Sequence, residues 1–364
     1  MSTGPTREDS VTPQRALIQL APTGTGGVRD YLECLRTEWA AVGLASHVVT
    51  LSESDARQRG LTERLREIID AEGRPCSVIL HFSGYGFHPR GLCLWLVREV
   101  EAARQELGDR LHLVTMFHEL YASGPPWGSA FWLSPVQAWI ARRLARLSDV
   151  LWTNTELHGR WLRRQVGASV PIEVQPVFST VGEPGETLPA RGRVPRLIVF
   201  GSPSTRRRAL ERLPRHAANL QRQGLTEVIE VGSGAATPWP ECALSVRFAG
   251  RLDIAELREL LETSAWGLID YPPKYLGKST VFAAYAVHGC VSLNTADAGF
   301  DSDGLQDGRH FLTLAPDAPI ATTVEARQSI VNAAREWYAQ HSATRQAAAF
   351  AASCHALPTR KESP

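Results

Sequence analysis

The chain is 364 residues long, 43% hydrophobic and 21% charged, with a formal net charge of +1. That length suits two medium domains, and the composition is that of a globular protein with a solvated surface. The near-neutral balance excludes any argument from overall charge for nucleic-acid binding or for attraction to an anionic membrane.

Six cysteines are scattered through the chain, with no CxxC pair and none at metal-ligand spacing with histidine. They read as small buried thiols of a reducing compartment. Residues 1–14 are polar without an apolar signal core, and no apolar run reaches spanning length. The expectation is a cytoplasmic protein, with peripheral membrane contact left open and the oligomeric state undetermined.

From residue 16 onward, short apolar runs alternate with amphipathic segments. Residues 16–21 form a strand-like run that breaks at the turn-forming stretch 22–27. Val28, Tyr31, Leu32, Leu35 and Trp39 then mark one face of a helix. The unit recurs as strands at 47–51, 77–82, 112–117 and 150–153. Helices follow them near 63–71, 92–107, 136–147 and 156–165. Alternation of this kind implies parallel pairing in a doubly wound sheet.

The pattern stops in the proline- and glycine-rich segment 176–195, read as a linker. It restarts with strands at 196–200, 227–231, 246–249, 266–269 and 291–294, and helices near 207–222, 254–263 and from Thr280. The predicted organisation is α/β, with two Rossmann-like domains, 15–178 and 193–340, a cleft between them, and an alanine-rich, frayed tail at 341–364. Parallel sheets place their sites at the carboxyl ends of strands, so the loops there hold the candidates.

The first such loop contains Thr25, Gly26 and Gly27. Glycine lets backbone approach a ligand, and the helix start offers unpaired N–H groups to an anion. A tight turn that binds nothing explains the same residues. His118 and Glu119 end a strand and would face the cleft, although a lone buried histidine also serves structure.

The loop 270–280 holds Gly277, Lys278, Ser279 and Thr280, a diphosphate cradle at a helix start, or else an ordinary Ser/Thr cap. Basic residues are nearly all arginine, and two of the three lysines fall here. Gly201 and Ser202 precede Arg206, Arg207 and Arg208. One of these, with Arg206 the candidate, would neutralise a leaving diphosphate, the others being solvated. Arg251 ends another strand. Asn154 ends a further one, where it positions a ligand or Thr155 simply caps a helix. Trp127, Phe131, Trp132 and Trp139 suit stacking on an acceptor, with core packing expected for at least half of them.

Taken in order, these residues resemble the retaining GT-B glycosyltransferases, in particular the glycosyltransferase family 4-like group. The Gly-Thr-Gly-Gly loop at 24–27, Phe117-His118-Glu119, and the stretch from Gly277-Lys278-Ser279-Thr280 to Cys290 carry the resemblance, which spans roughly 15–340. It implies transfer of a sugar from a nucleotide-sugar donor to a small-molecule, glycan or lipid-linked acceptor, with retention and without a metal or cofactor. Lys278, an arginine and helix dipoles would stabilise the leaving diphosphate, and His118 would orient the donor sugar.

The group commonly carries two glutamates eight residues apart in the donor segment; Leu276 and Ala284 stand there instead. That departure leaves open a catalytically inactive GT-B module that binds carbohydrate or a partner, and a GT-B epimerase stands as a further alternative.

Overall fold

The computed structural model describes residues 15–355 apart from 25, 123, 226, 240–243, 298 and 316–322. In chain order the strands are β1 (Ala16–Pro22), β2 (Ser46–Leu51), β3 (Cys76–Phe82), β4 (Leu111–Phe117), β5 (Val150–Thr153), β6 (Ile172–Val174), β7 (Val194–Phe200), β8 (Glu227–Val231), β9 (Val246–Gly250), β10 (Ser264–Ile269), β11 (Val291–Asn294) and β12 (Leu312–Thr313). Between them run α1 (Gly27–Ala41), α2 (Glu53–Gln58), α3 (Leu61–Glu72), α4 (Gly84–Phe87), α5 (Leu94–Leu107), α6 (Ser129–Leu147), α7 (Glu156–Val166), α8 (Pro203–Arg212), α9 (Ala217–Arg222), α10 (Ile254–Thr263) and α11 (Thr280–His288). The chain ends in α12 (Val324–Ala339) and α13 (Ala343–His355).

Two six-stranded sheets result, ordered β2-β1-β3-β4-β5-β6 and β12-β11-β10-β7-β8-β9. β1 pairs in parallel with β2 and β3, and β7 in parallel with β8 and β10, so each sheet reverses its winding beside its own first strand. Counted from β7, the second sheet has the order 3-2-1-4-5-6 of a dinucleotide-binding sheet, with its switch point between β7 and β10. The central strands β1, β3, β4 and β10 are buried along their whole length, as expected of parallel strands covered on both faces.

The chain divides into two compact units, and the division departs from the predicted boundaries. The first takes the chain up to Trp152, Leu162–Glu173 and the chain from Ala347; the second takes Thr153–Trp161 and Val174–Gln346. The expected frayed tail is, as far as His355, the helix α13, and its second half belongs to the first unit. Phe350 stacks on Trp152 at 3.8 Å, Trp39 donates its indole N–H to the Ala347 carbonyl, and Ser77 donates its hydroxyl to the Cys354 carbonyl. An alanine-rich helix packs closely because its small side chains admit such neighbours, which composition alone does not reveal.

The expected linker at 176–195 is also packed. Val177, Phe178 and Val181 are buried, the Ser179 amide donates to the Tyr338 hydroxyl, and Tyr338 donates to Glu183. The helix expected over 207–222 is broken by a 3₁₀ turn at Leu213–His216, where Pro214 cannot donate to an α-helical ladder. The helix expected from Val136 begins seven residues earlier, at Ser129, and carries Pro135 inside it.

Candidate functional site

In the first unit, His118 follows β4 and is buried, 8% exposed. It lies in a polar chain that sequence reading did not reveal. His118 Nε2 is 3.2 Å from His81 Nδ1, and His81 Nε2 is 3.1 Å from Gln19 Oε1, so the adjacent strands β3 and β1 and the residue after β4 each contribute one member.

The direction of the protons follows from the far end. Gln19 uses its amide N–H groups on the Leu32 carbonyl and the Ser46 hydroxyl, which turns Oε1 toward His81. His81 therefore donates from Nε2. Burial, and then the neighbouring His118, hold its pKa well below the ordinary imidazole value, so it is neutral and accepts at Nδ1. His118 must then donate from Nε2. Tyr31, whose phenol is pushed above its usual pKa by burial, closes the cluster edge-on against both rings.

Glu119 is half-buried beside His118. Gly26 is left-handed at φ 128°, and its loop meets open space where a side chain would stand; Gly27 starts α1. Thr25 lies outside the described residues. Trp127 is 88% exposed, and Phe131, Trp132 and Trp139 are exposed too, so none of the four packs in a core as expected for half of them.

In the second unit, the loops at the switch point come together. Gly201, at φ 120°, lies so near the first turn of α11 that a Cβ on it would stand 3.3 Å from Val281 Cγ2. Ser202 caps α8 through the Thr205 amide, and Ser279 caps α11 through the Phe282 amide. Ser202 is a cap that was not expected, and the cap reading of Ser279 is thus correct. It still leaves the first amides of α11 without intrahelical acceptors, beside Thr280 and Lys278.

Lys278 is half-buried with Nζ 5.8 Å from the Tyr275 ring, while Lys274 covers the same ring at 5.2 Å. His158, whose pKa burial and then Lys278 lower to about 3, packs against Tyr275 at 6.0 Å. Gly277 is required by a close approach and not by an unusual φ. A Cβ there would fall 2.8 Å from Asp303 Oδ2. Asp303 itself is left-handed at φ 59°. Its Oδ1 accepts from the Glu156 amide, and burial outweighs that bond to raise its pKa to about 6.

Arg206 is corrected by the structure. It is 0% exposed and fully engaged, donating to Glu230 at 2.9 Å and to the Gly201 and Ser233 carbonyls at 2.7 and 2.8 Å. Burial raises the Glu230 pKa, but hydrogen bonds from Thr237 and Arg206 outweigh it and hold the carboxyl below its usual value. Arg206 therefore fixes the Gly201 backbone from behind and cannot meet a diphosphate without breaking that network.

Arg208 and Arg212 of the same helix lie nearer the surface, 3.6 and 3.4 Å from Asp270, the residue that follows β10. The i, i+4 spacing from residue 208 to 212, and the position of Asp270 after a strand, are the sequence signals that point to this cluster. Arg251 is exposed after Gly250, at the end of β9. Asn154 is 2% exposed after β5 and falls with the second unit, and Thr155 caps α7 through the His158 amide.

Leu276 and Ala284, where the resemblance would place glutamates, are both 0% exposed, in positions that would not tolerate a carboxylate. Asp301-Ser302-Asp303 is an acid-x-acid run, so the expectation of transfer without a metal draws no support from the lack of such a motif. Among the described residues no group of three His, Cys, Asp or Glu side chains is placed to hold a metal, and no helix is long and apolar enough to cross a membrane.

No protein-family model matches the chain, and no curated protein does. Solved structures match over nearly its whole length. An α,α-trehalose-phosphate synthase (UDP-forming) from Burkholderia xenovorans, in complex with glucose-6-phosphate, superposes with a TM-score of 0.61 at 12% identity, covering 93% of this chain and 100% of that one. A trehalose-6-phosphate enzyme from E. coli bound with UDP-2-fluoro glucose gives 0.60 at 11%, over 94% and 99%. A sucrose-phosphate synthase from Thermosynechococcus elongatus gives 0.58 at 13%, over 92% and 98%. At such identities the likeness is one of fold, and the fold is GT-B: two Rossmann-like domains in one chain.

Proposed function

We propose that the protein is a glycosyltransferase that takes a sugar from a nucleotide-sugar donor, a uridine diphosphate sugar by analogy with its structural neighbours. One observation carries the reading. At the switch point of the second sheet the Gly201 loop abuts the amino end of α11, with Lys278 directly before it. Helix amides without intrahelical acceptors, a backbone opened by glycine and a compact cation are what a diphosphate requires.

In this reading Gly201, Ser202, Gly277 and the first turn of α11 receive the diphosphate, and Lys278 stabilises the charge that grows on it as the glycosidic bond breaks. That cation would take the place of a divalent metal, so chelation is expected to leave turnover unchanged. His118, held in one tautomer by His81 and Gln19, orients the donor sugar for transfer with retention. Arg251, Asn154, Glu119 and Trp127 remain candidates for donor or acceptor contacts, with a soluble, cytoplasmic setting and a sugar-phosphate or similar small acceptor.

Thermal unfolding with UDP, GDP and ADP tests the reading, because a ligand of the native state alone must raise the midpoint. UDP is expected to raise it most, and the gain is expected to shrink in Lys278→Ala. No shift with any nucleoside diphosphate would overturn the proposal. The buried Leu276 and Ala284 favour one alternative, an inactive binding module. Nucleotide binding without donor hydrolysis or transfer, across a panel of donors and acceptors, would select it.

A further inference from the structure

The outward face of α6 is built against the usual pattern. A surface helix buries its apolar stripe and shows water a polar one. Here the buried side is Gln137, Ile140, Ala141, Leu144 and Ala145, and the outward side begins with Phe131, Trp132, Val136 and Trp139. Trp132 is 70% exposed and Trp139 48%, and Trp127, just before the helix, is 88% exposed. Trp132 donates its indole N–H to the Pro126 carbonyl, which ties the Trp127 loop to the helix.

One turn beyond Trp139 the same face continues as Arg142, Arg143 and Arg146, all exposed. At 3.6 residues per turn these outward residues share an arc of about 140°. From Leu120 to Ser148 the chain carries these three arginines and no acidic residue. Arg143 pairs with Glu101 on α5. Among the described residues, Arg142 and Arg146 hydrogen-bond only the neutral Gln165, so their charge is uncompensated by those bonds.

We propose that α6 is a docking element for the surface of a bilayer rich in anionic phospholipid. Tryptophan is the side chain that favours the headgroup level, where its ring is half solvated and its N–H finds acceptors. Arginine spreads its stem over apolar surface and delivers its guanidinium to phosphate. A helix about 28 Å long can therefore lie at a shallow tilt, with its aromatic half sunk among the acyl ends and its arginine half on the phosphates. The exposed aromatic run would be a solubility liability without such a partner. The net charge of +1 does not foreshadow this contact, because the positive charge is local. The proposal rests on α6 and the loop before it, and not on the nucleotide site; Trp127 is the one residue that both readings use.

Flotation of the full chain with phosphatidylcholine vesicles, and with vesicles that also contain phosphatidylglycerol, tests it. The wild type is expected to float with the anionic vesicles, less so as salt rises, and its tryptophan emission should shift to the blue. Trp127→Ser with Trp139→Ser should abolish flotation. Arg142→Glu with Arg146→Glu should weaken it about tenfold or more while leaving the thermal midpoint unchanged. Wild-type protein that stays with the solvent overturns the proposal. So does flotation unchanged in both variants, or a self-associated species in sedimentation velocity that the tryptophan variant dissociates without any vesicle binding.

Discussion

Arg206 and Lys278 both read from sequence as cations for a diphosphate, and their surroundings separate them. Arg206 is enclosed with Glu230, so Arg206→Met leaves a carboxylate buried without its counter-charge, a change that costs about 3–5 kcal/mol. Urea unfolding is expected to show that loss, and a variant within about 0.5 kcal/mol of wild type would mean that the pair is not structural. Lys278 is half-buried beside the start of α11, so Lys278→Ala should leave stability nearly unchanged and lower turnover at least about tenfold, since each 1.36 kcal/mol is a factor of ten. Lys278→Arg should recover only part, because a planar fork does not replace a point charge. The arginine run was legible in the sequence, but which arginine turns inward was not. That choice depends on Glu230, which lies on a neighbouring strand and 24 positions away. His118 was legible as a residue ending a strand, while His81 and Gln19 were hidden inside apolar runs. His81→Phe should therefore lower kcat about tenfold with little change in donor KM, because it frees the His118 ring without touching a phosphate site.

At the scale of elements, the switch point of the second sheet is held open by one side chain. The β7–β10 ladder ends at the pairing of Ile198 with Gly267. There the Tyr285 hydroxyl, coming from α11, sits 2.9 Å from the Ile198 carbonyl and 3.1 Å from that of Leu268. The Tyr285 ring occupies the space above Gly267, where a Cβ would stand 2.4 Å from it. Gly267→Ala must displace a fully buried ring and is expected to cost about 3 kcal/mol or more, whereas Tyr285→Phe loses about 1 kcal/mol with the ring kept. Chemical unfolding of the two variants checks the order, and equal costs would contradict this account. The sequence marks β10 by its apolar run and α11 by the Ser279-Thr280 start of a second apolar run. It does not reveal that a glycine in mid-strand answers a tyrosine 18 positions later. The same blindness explains the mistaken tail: Ala347 and Phe350 acquire meaning only against Trp39 and Trp152.

Across the whole molecule, several buried groups bind protons differently in the folded and unfolded chain, and they occur in both units. His81 lies in the first, while His158, His288 and His341 lie in the second, lowered chiefly by burial to about 3, 4 and 3. Each is neutral when folded and takes a proton when unfolded below its ordinary value of about 6.5, so each removes stability as pH falls, at about 1.4 kcal/mol per pH unit. Asp303 has the opposite sign. With a folded pKa of about 6 it holds a proton in the native state that the unfolded chain releases, so its contribution is full below about pH 4 and is lost as pH rises through 6. Below the ordinary imidazole value these histidines therefore lower the stability of both units as pH falls, and Asp303 opposes them in the second. Calorimetry at stepped pH is therefore expected to show the unfolding midpoint falling as pH drops below about 6. Asp303→Asn isolates the opposing group, because asparagine can still accept the Glu156 amide but carries no charge. It should stabilise the second unit by about 1–3 kcal/mol at pH 8 and have almost no effect at pH 4. A variant that instead loses stability at pH 8, with the loss fading toward acid pH, would show that Asp303 is ionised and paired in the native chain.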